Sequence, residues 1–436
     1  MLKLYALAST GLVGLFIAAG VAAQSGTPSS PAVAKSDLSP VARPALWPKA
    51  IARPARDPKI EARIDAILRA MSLEDKVGQI IQADIAGIKP EDVRTYKLGS
   101  ILNGGNSAPN NDELAPPTEW LKLADAFFDA SMVRTDGRPK IPIIWGTDAV
   151  HGNNNIVGAT LFPHNIGLGA MRNRDLIRRI GEVTAIETAA AGIDWSFAPT
   201  LAVVQDDRWG RTYESYSEDP AIVADYAGAM IEGVQGRVGT QDFLAPRHVI
   251  ATAKHFVGDG GTGGRDQGDA RVPETVLRDV HAAGYPPAIA AGTLSVMASF
   301  SSWNGAKMHA NRSLLTDVLK DRMGFQGFVV GDWNAHGQIE GCTNESCAAA
   351  INAGLDMFML SGDWKALYRN TLAQARSKEI RPERLDDAVR RILRVKLIAG
   401  TFERGRPSSR ALAGKMNLIG APEHRAIARQ AVRESL

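Results

Sequence analysis

The segment Gly327 to Trp333, G-F-V-V-G-D-W, sets an aspartate and an indole side by side at the end of a short apolar run. A continuous apolar run of β-type residues is the pattern of a buried parallel strand. In parallel α/β proteins, chemistry is placed just past the strand's carboxyl end. Asp332 there is a carboxylate able to attack an anomeric carbon, and Trp333 offers an aromatic face to a sugar ring. A retaining glycosidase needs such a carboxylate with an acid/base partner about 5–5.5 Å away. The same aspartate also fits an ordinary helix N-cap, so the rest of the chain has to decide.

Four other apolar runs lead into residues of similar character. Asp148 follows Ile141 to Gly146 in G-T-D-A-V-H-G. A short acid beside a pyranose can accept hydrogen bonds from two vicinal hydroxyls; its structural alternative is a cap. Past Ile193 to Phe197 comes D-R-W-G-R-T-Y-E-S-Y-S-E-D, Asp207 to Asp219. Its Arg211 carries a planar fork suited to hydroxyls or to Asp148, while Glu214, Glu218 and Asp219 read as stabilising their own loop. Lys254-His255 is a basic pair directly after the apolar run Val249 to Ala253, and a buried charge requires a partner or a ligand. That pair also leaves open a Schiff-base lyase acting through Lys254 and a plain Lys–Asp ion pair. Met297 and Phe300 belong to the run Leu294 to Phe300, which leads to Trp303-Asn304. His151 reads as a structural hydrogen-bonding group rather than a base.

These residues need strands to aim them. Eight short β-rich runs are legible: Val77 to Gln82, Gly99 to Leu102, Ile141 to Gly146, Ile193 to Phe197, Val249 to Ala253, Leu294 to Phe300, Gly327 to Val330 and Met357 to Leu360. Helical spacing fills most gaps, as in Asp175 to Ala191 and Leu385 to Ile398. The alternation predicts an α/β fold, a (β/α)8 TIM-like barrel over residues 59–410, enlarged beyond the ~250 residues typical of that architecture. Polar residues after successive strands would then converge on one mouth. An open doubly wound sheet is the alternative, but no G-x-G-x-x-G follows the early runs.

The chain has 436 residues, of which 45% are hydrophobic and 22% charged, enough for a large core. With a formal net charge of only +3 and no basic block, nucleic acid is not an expected partner. Residues 1–23 have the plan of a signal peptide: Lys3, an apolar stretch from Leu4 to Ala19, and Val21-Ala22-Ala23 before Gln24. That plan predicts a periplasmic or secreted protein without stable membrane insertion; a retained anchor is the alternative. Residues 24–58, rich in Pro, Ala and Ser, read as a linker or a wrapping segment. In an exported chain, Cys342 and Cys347 in C-T-N-E-S-C read as a small disulfide loop. A metal pair is the alternative, though no His or third Cys stands at ligand spacing. No metal or cofactor is implied.

Six stretches carry a resemblance: G-T-D-A-V-H-G-N-N-N, T-L-F-P-H-N-I-G-L-G-A, W-G-R-T-Y-E-S-Y-S-E-D, K-H-F-V-G-D-G-G-T, S-W-N-G and G-F-V-V-G-D-W. In this order they make Leu73 to Leu436 resemble the first domain of glycoside hydrolase family 3, the β-glucosidases and exo-β-glucanases. The resemblance implies Asp332 as nucleophile. It implies Asp148, Arg211, Lys254 and His255 as hydroxyl binders of a glucose subsite lined by Met297 and Trp333. The implied activity is that of a retaining, exo-acting β-D-glucosidase or exo-β-glucanase, releasing non-reducing terminal glucose from β-glucans or oligosaccharides through a covalent glycosyl-aspartate.

Two departures from the family pattern matter. Phe300 stands where relatives often carry Tyr, which keeps the ring and loses a hydrogen bond. Two-domain members also continue past a segment like H-R-A-I-A-R-Q-A-V-R-E-S-L into an α/β sandwich that supplies the catalytic acid. That C-terminal sandwich is absent from this chain, and residues 411–436 read as the start of the interdomain linker. Single-domain relatives that cleave N-acetylglucosaminides carry a His in the loop after Lys-His, where Asp259 stands here. A β-N-acetylglucosaminidase and a catalytically silent glucan-binding domain are therefore the alternatives.

Overall fold

A computed structural model describes residues 38–51 and 53–436. The signal-peptide reading of residues 1–23, and the start of the segment 24–58, lie outside them. Among the described residues there are eleven strands: β1 (Ile81–Asp84), β2 (Ser100–Asn103), β3 (Ile144–Thr147), β4 (Trp195–Ser196), β5 (Thr252–Phe256), β6 (Asp269–Ala270), β7 (Ser295–Ala298), β8 (Ser302–Trp303), β9 (Ala306–Lys307), β10 (Phe328–Val330) and β11 (Phe358–Leu360).

Two parallel sheets form the centre of this α/β fold. One has the order β11-β1-β2-β3-β4, the other β10-β7-β5. Parallel bridges join them: Trp195 to Ile250 and Thr200 to Lys254 at one seam, Val330 to Met357 at the other. Each of the eight central strands therefore has a parallel neighbour on both sides. Nearly every residue in these strands is buried, which is why they read as continuous apolar runs rather than as alternating ones. The small sheet β6-β8-β9 is separate. Its β8–β9 hairpin turns on Asn304 and Gly305, both at positive φ, the Asn-Gly signal of a two-residue turn.

Helices occupy the intervals. The predicted helix Asp175 to Ala191 is Arg174–Ala190, started by Asn173, whose side chain accepts from the Leu176 amide. The predicted Leu385 to Ile398 is Pro382–Ile398, opened by its N-terminal proline. Arg174–Ala190 lies against Pro220–Gln235 at a crossing where two glycines meet. A Cβ on Gly233 would fall 2.2 Å from the Arg178 carbonyl, so only glycine allows the backbones to come so close.

The first predicted strand is placed wrongly at its start. Val77 to Gln79 belongs to the helix Leu73–Gln79. The physical reason is a capping box: the Ser72 side chain accepts from the Asp75 amide, and the Asp75 carboxylate accepts from the Ser72 amide. The strand begins only at Ile81.

Of the segment 24–58, the described part wraps the fold. Trp47 is fully buried and donates from Nε1 to Glu274 at 2.9 Å, while Arg43 reaches both oxygens of the same carboxylate. At the other end, the helix Pro422–Glu434 docks onto Arg174–Ala190, with His424 Nδ1 2.8 Å from Glu187 Oε1. Cys342 and Cys347 are joined, their Cα atoms 4.8 Å apart. Among the described residues no helix is long and apolar enough to cross a membrane.

Candidate active site

The carboxyl ends of the central strands deliver the predicted side chains to one place. Asp148 follows β3, Lys254 and His255 lie on β5, and Met297 lies on β7. Asp332 and Trp333 follow β10, and Arg211 hangs from the long loop after β4. All seven line a single cavity of about 500 Å3. Around them stand Gly104, His151, Phe197, Tyr213, Glu214 and Met359, with Gly105, Val150 and Asn154 completing the wall.

The cavity holds three carboxylates against two fixed cations. Lys254, almost fully buried, places Nζ 2.6 Å from Asp148 Oδ1. Arg211 does not reach Asp148. Its fork closes on Glu214, Nε to Oε1 at 2.8 Å and Nη2 to Oε2 at 2.9 Å. Burial alone would raise the Glu214 carboxyl, but the guanidinium overrides it and holds the group at about 2. Glu214 therefore does more than steady its loop: it forms part of the cavity wall as a fixed anion. Asp219 fits the local reading, capping the helix Pro220–Gln235, whereas at Glu218, among the described residues, only the backbone carbonyl is engaged, by Gln205.

Asp332 is held from two directions. Its Oδ1 accepts from the Trp333 amide at 2.7 Å. Its own amide donates to His309 Nε2 at 2.9 Å. That bond requires a lone pair on the ring nitrogen, and burial keeps His309 neutral by pushing its pKa down to about 3. Its Oδ2 faces His255 Nε2 at 3.6 Å. The other nitrogen of His255 bonds Asp259 Oδ2 at 2.9 Å. Arg211 Nη2 lies 3.2 Å from His255 Nε2 and can only donate, which places the imidazole hydrogen on Nδ1, toward Asp259. Asp259 is thus a buried brace for His255, outside the cavity wall.

Trp333 owes its position to a missing side chain. A Cβ on Gly104 would fall 2.0 Å from the indole Cζ3, so the ring packs directly against the loop after β2. Asp84, at the end of β1, fixes that loop by accepting from the Gly104 amide at 2.8 Å and from Ser107 Oγ at 2.6 Å. Burial raises its pKa despite those bonds.

Some expectations fall outside the cavity. Trp303 is fully buried and donates to the Val272 carbonyl, so it is packing rather than part of the mouth. The Phe300 ring lies 6.4 Å from that of His309 and does not line the cavity. His151 does line it, pairing with His164 Nδ1 at 3.0 Å; burial, then the neighbouring His164, lower its pKa to about 4. Sequence reasoning missed Glu214 as a wall residue, His309 and Asp84. Asp84 had a signal, an aspartate ending I-I-Q-A-D, obscured by the misplaced first strand. Among the described residues no group of three or more His, Cys, Asp or Glu side chains is placed to hold a metal ion.

Residues 72–395 match the family model of the glycosyl hydrolase family 3 N terminal domain. The chain is 32% identical over 400 residues to the lysosomal beta glucosidase of Dictyostelium discoideum, covering 86% of this chain and 48% of that protein. It is 28% identical over 356 residues to the periplasmic beta-glucosidase of Salmonella typhimurium, covering 78% and 42%. The crystal structure of an exo-1,3/1,4-beta-glucanase from a Pseudoalteromonas species superposes with a TM-score of 0.87 at 54% identity, covering 89% of this chain and 49% of that one. The chain spans about half the length of these curated relatives. With the family model matching most of its length, and with four of the six family stretches lining one cavity, this chain belongs to glycosyl hydrolase family 3.

Proposed function

We propose that this chain is the nucleophile-bearing part of a retaining, exo-acting β-D-glucosidase or exo-β-glucanase. One observation carries the reading: Asp332, Asp148, Arg211, Lys254, His255, Met297 and Trp333, read from separate strand ends, line the same cavity. We read the eight central strands as a (β/α)8 barrel, supported by the bridges that give each of them two parallel neighbours. Its extent, residues 59–410, contains the family match.

In this reading Asp332 Oδ2 attacks the anomeric carbon of a terminal glucose. Asp148 and Lys254 hold one group of hydroxyls; Arg211 and His255 hold another. Met297 and Trp333 supply the apolar face that sugar C–H groups pack on. His255, with its hydrogen on the Asp259 side, accepts from a hydroxyl as that hydroxyl replaces Arg211 Nη2 on its Nε2 lone pair. The acid that protonates the leaving group has no ready source in the cavity. Glu214 is held at about 2, the wrong side of neutrality for an acid. Asp148 is engaged by Lys254, and Asp259 by His255. We assign the acid to a segment outside the residues of this chain, in keeping with the greater length of its relatives.

Removing the nucleophile tests the reading. In protein supplied with the remaining family domain, Asp332→Asn should lose almost all hydrolysis of an aryl β-glucoside while its circular dichroism and melting curve stay those of the wild type. A folded variant with near-normal turnover would overturn it. The acid assignment has its own contrast. A positioned acid gives ~10²–10⁴-fold in rate, and most where the leaving group is a sugar alkoxide. The 436 residues alone should leave laminaribiose intact, and adding the further domain should restore its cleavage more than that of a nitrophenyl glucoside. Full disaccharide turnover by the chain alone would place an acid within it, with Asp259 and Asp266 the first to substitute.

We further propose a periplasmic or secreted location. The signal-like residues 1–23 and the joined Cys342–Cys347 pair support it, as does the relative named a periplasmic beta-glucosidase. Sequencing the exported protein should give a mature N-terminus at Gln24; an uncleaved, reduced protein would contradict the assignment.

A further inference from the structure

At the opposite ends of the strands from Asp332, Asp194 leads into β4 and Val249 precedes β5. Around them lies a second cavity of about 210 Å3, the space of about seven waters at ~30 Å3 each. Its apolar wall includes Ile193, Val249 and Leu412, and its charged wall is Asp194, Arg404 and Arg410. Nothing in the proposed glucosidase reaction uses these residues.

The charges in this cavity do not balance. Arg410 Nη1 pairs with Asp194 Oδ1 at 2.5 Å, but Arg410 Nε is buried with no hydrogen-bond partner. Arg404 donates to the Leu244 carbonyl and, among the described residues, forms no ion pair with a carboxylate. Nearby, the buried Lys396 ammonium rests on Gln79 Oε1 and the Gly99 carbonyl and, among the described residues, forms no ion pair with a carboxylate. A buried charge persists when it is paired or holds a ligand, and an orphaned buried donor calls for an acceptor. His248, the other ionisable side chain of the wall, has its nitrogens engaged by the Gly233 carbonyl and Asp242.

We propose that this cavity binds a small aliphatic carboxylate. Its oxygens take guanidinium donors of Arg404 and of Arg410, whose Nη2 makes only a long 3.5 Å bond to the Gly405 carbonyl, the charge-assisted geometry that guanidinium groups favour. Its short hydrocarbon body lies on Ile193, Val249 and Leu412. The site is separate from the glucose cavity and stands or falls independently of the glucosidase assignment.

Calorimetric titration of the 436-residue chain with butyrate, n-butylammonium and inorganic phosphate tests this directly. Butyrate should bind saturably with one site per chain, and the ammonium of the same length should not bind. Arg404→Met, which removes the guanidinium without stranding Asp194, should weaken butyrate at least tenfold. Leu412→Trp, which fills the cavity, should abolish binding with the melting curve preserved. Absence of saturable butyrate binding in folded wild-type protein would overturn the proposal, as would an unchanged affinity in folded Arg404→Met. Phosphate binding as tightly as butyrate would overturn the assignment of an apolar body.

Discussion

Asp148 shows how one residue's role is decided by its partner. As a cap, its loss would cost at most a helix end. In the structure it neutralises a buried lysine at 2.6 Å while half of its own side chain stays open to the cavity. Asp148→Ala therefore leaves the Lys254 ammonium unmatched and removes sugar contacts that strengthen in the transition state. The expected loss in kcat/KM for an aryl glucoside is at least ~10²-fold, about 2.7 kcal/mol; wild-type kinetics would reduce Asp148 to a cap. The residues legible in sequence were those directly after an apolar run, because burial of the strand marks where the chain emerges. His309 and Asp259 carried no such mark. His309 reaches the Asp332 amide across 23 residues of chain. Asp259 matters only through the ring it braces.

Among the elements, strand ends were easier to read than the loops between them. The runs over β2, β3, β7, β10 and β11 overlap their strands because parallel strands buried on both faces leave an unbroken apolar trace. The run before β1 was misread because only Ile80 stands between helix Leu73–Gln79 and β1; the Ser72–Asp75 box was the signal that a helix starts there. The loop after β2 gave no chemical hint, yet it governs Trp333 through the absence of a side chain. Gly104→Ala would push its Cβ into the indole, a misfit of the kind that costs ~1–3 kcal/mol in packing. We expect the cost to fall on the site rather than on the fold: KM for an aryl glucoside should rise several-fold while the melting temperature shifts by only a few degrees. An unchanged KM would show that the indole is not part of the sugar platform.

For the whole molecule, buried neutral imidazoles tie stability to pH. Burial lowers His151 and His281 to about 4 and His309 to about 3. In the unfolded chain each returns to ~6.5, so below that value the unfolded state binds protons that the folded state refuses. Their contribution is complete above ~6.5 and is lost as pH falls toward 4 and below. Glu214, depressed to about 2 from its ordinary 4.5, adds a second loss below that ordinary value. The melting temperature should therefore fall steadily from pH 7 to pH 4, and a flat profile over that range would contradict the burial of these groups. The α/β architecture was legible from its alternation of runs and helices. The opposite face of the fold was not, since the Arg404–Arg410–Asp194 cavity joins residues more than 200 positions apart in sequence.

The central claim is that Asp332 is the nucleophile, and one measurement bears on it most directly. A 2-deoxy-2-fluoro-β-glucoside with a dinitrophenolate leaving group needs no protonation to depart, so it can glycosylate the 436-residue chain without an added acid. Mass spectrometry of the treated protein should show a single added fluoroglucosyl group, and peptide mapping should place it on Asp332. Asp332→Asn should take up none. A label on Asp148, Glu214 or any other carboxylate would contradict the account.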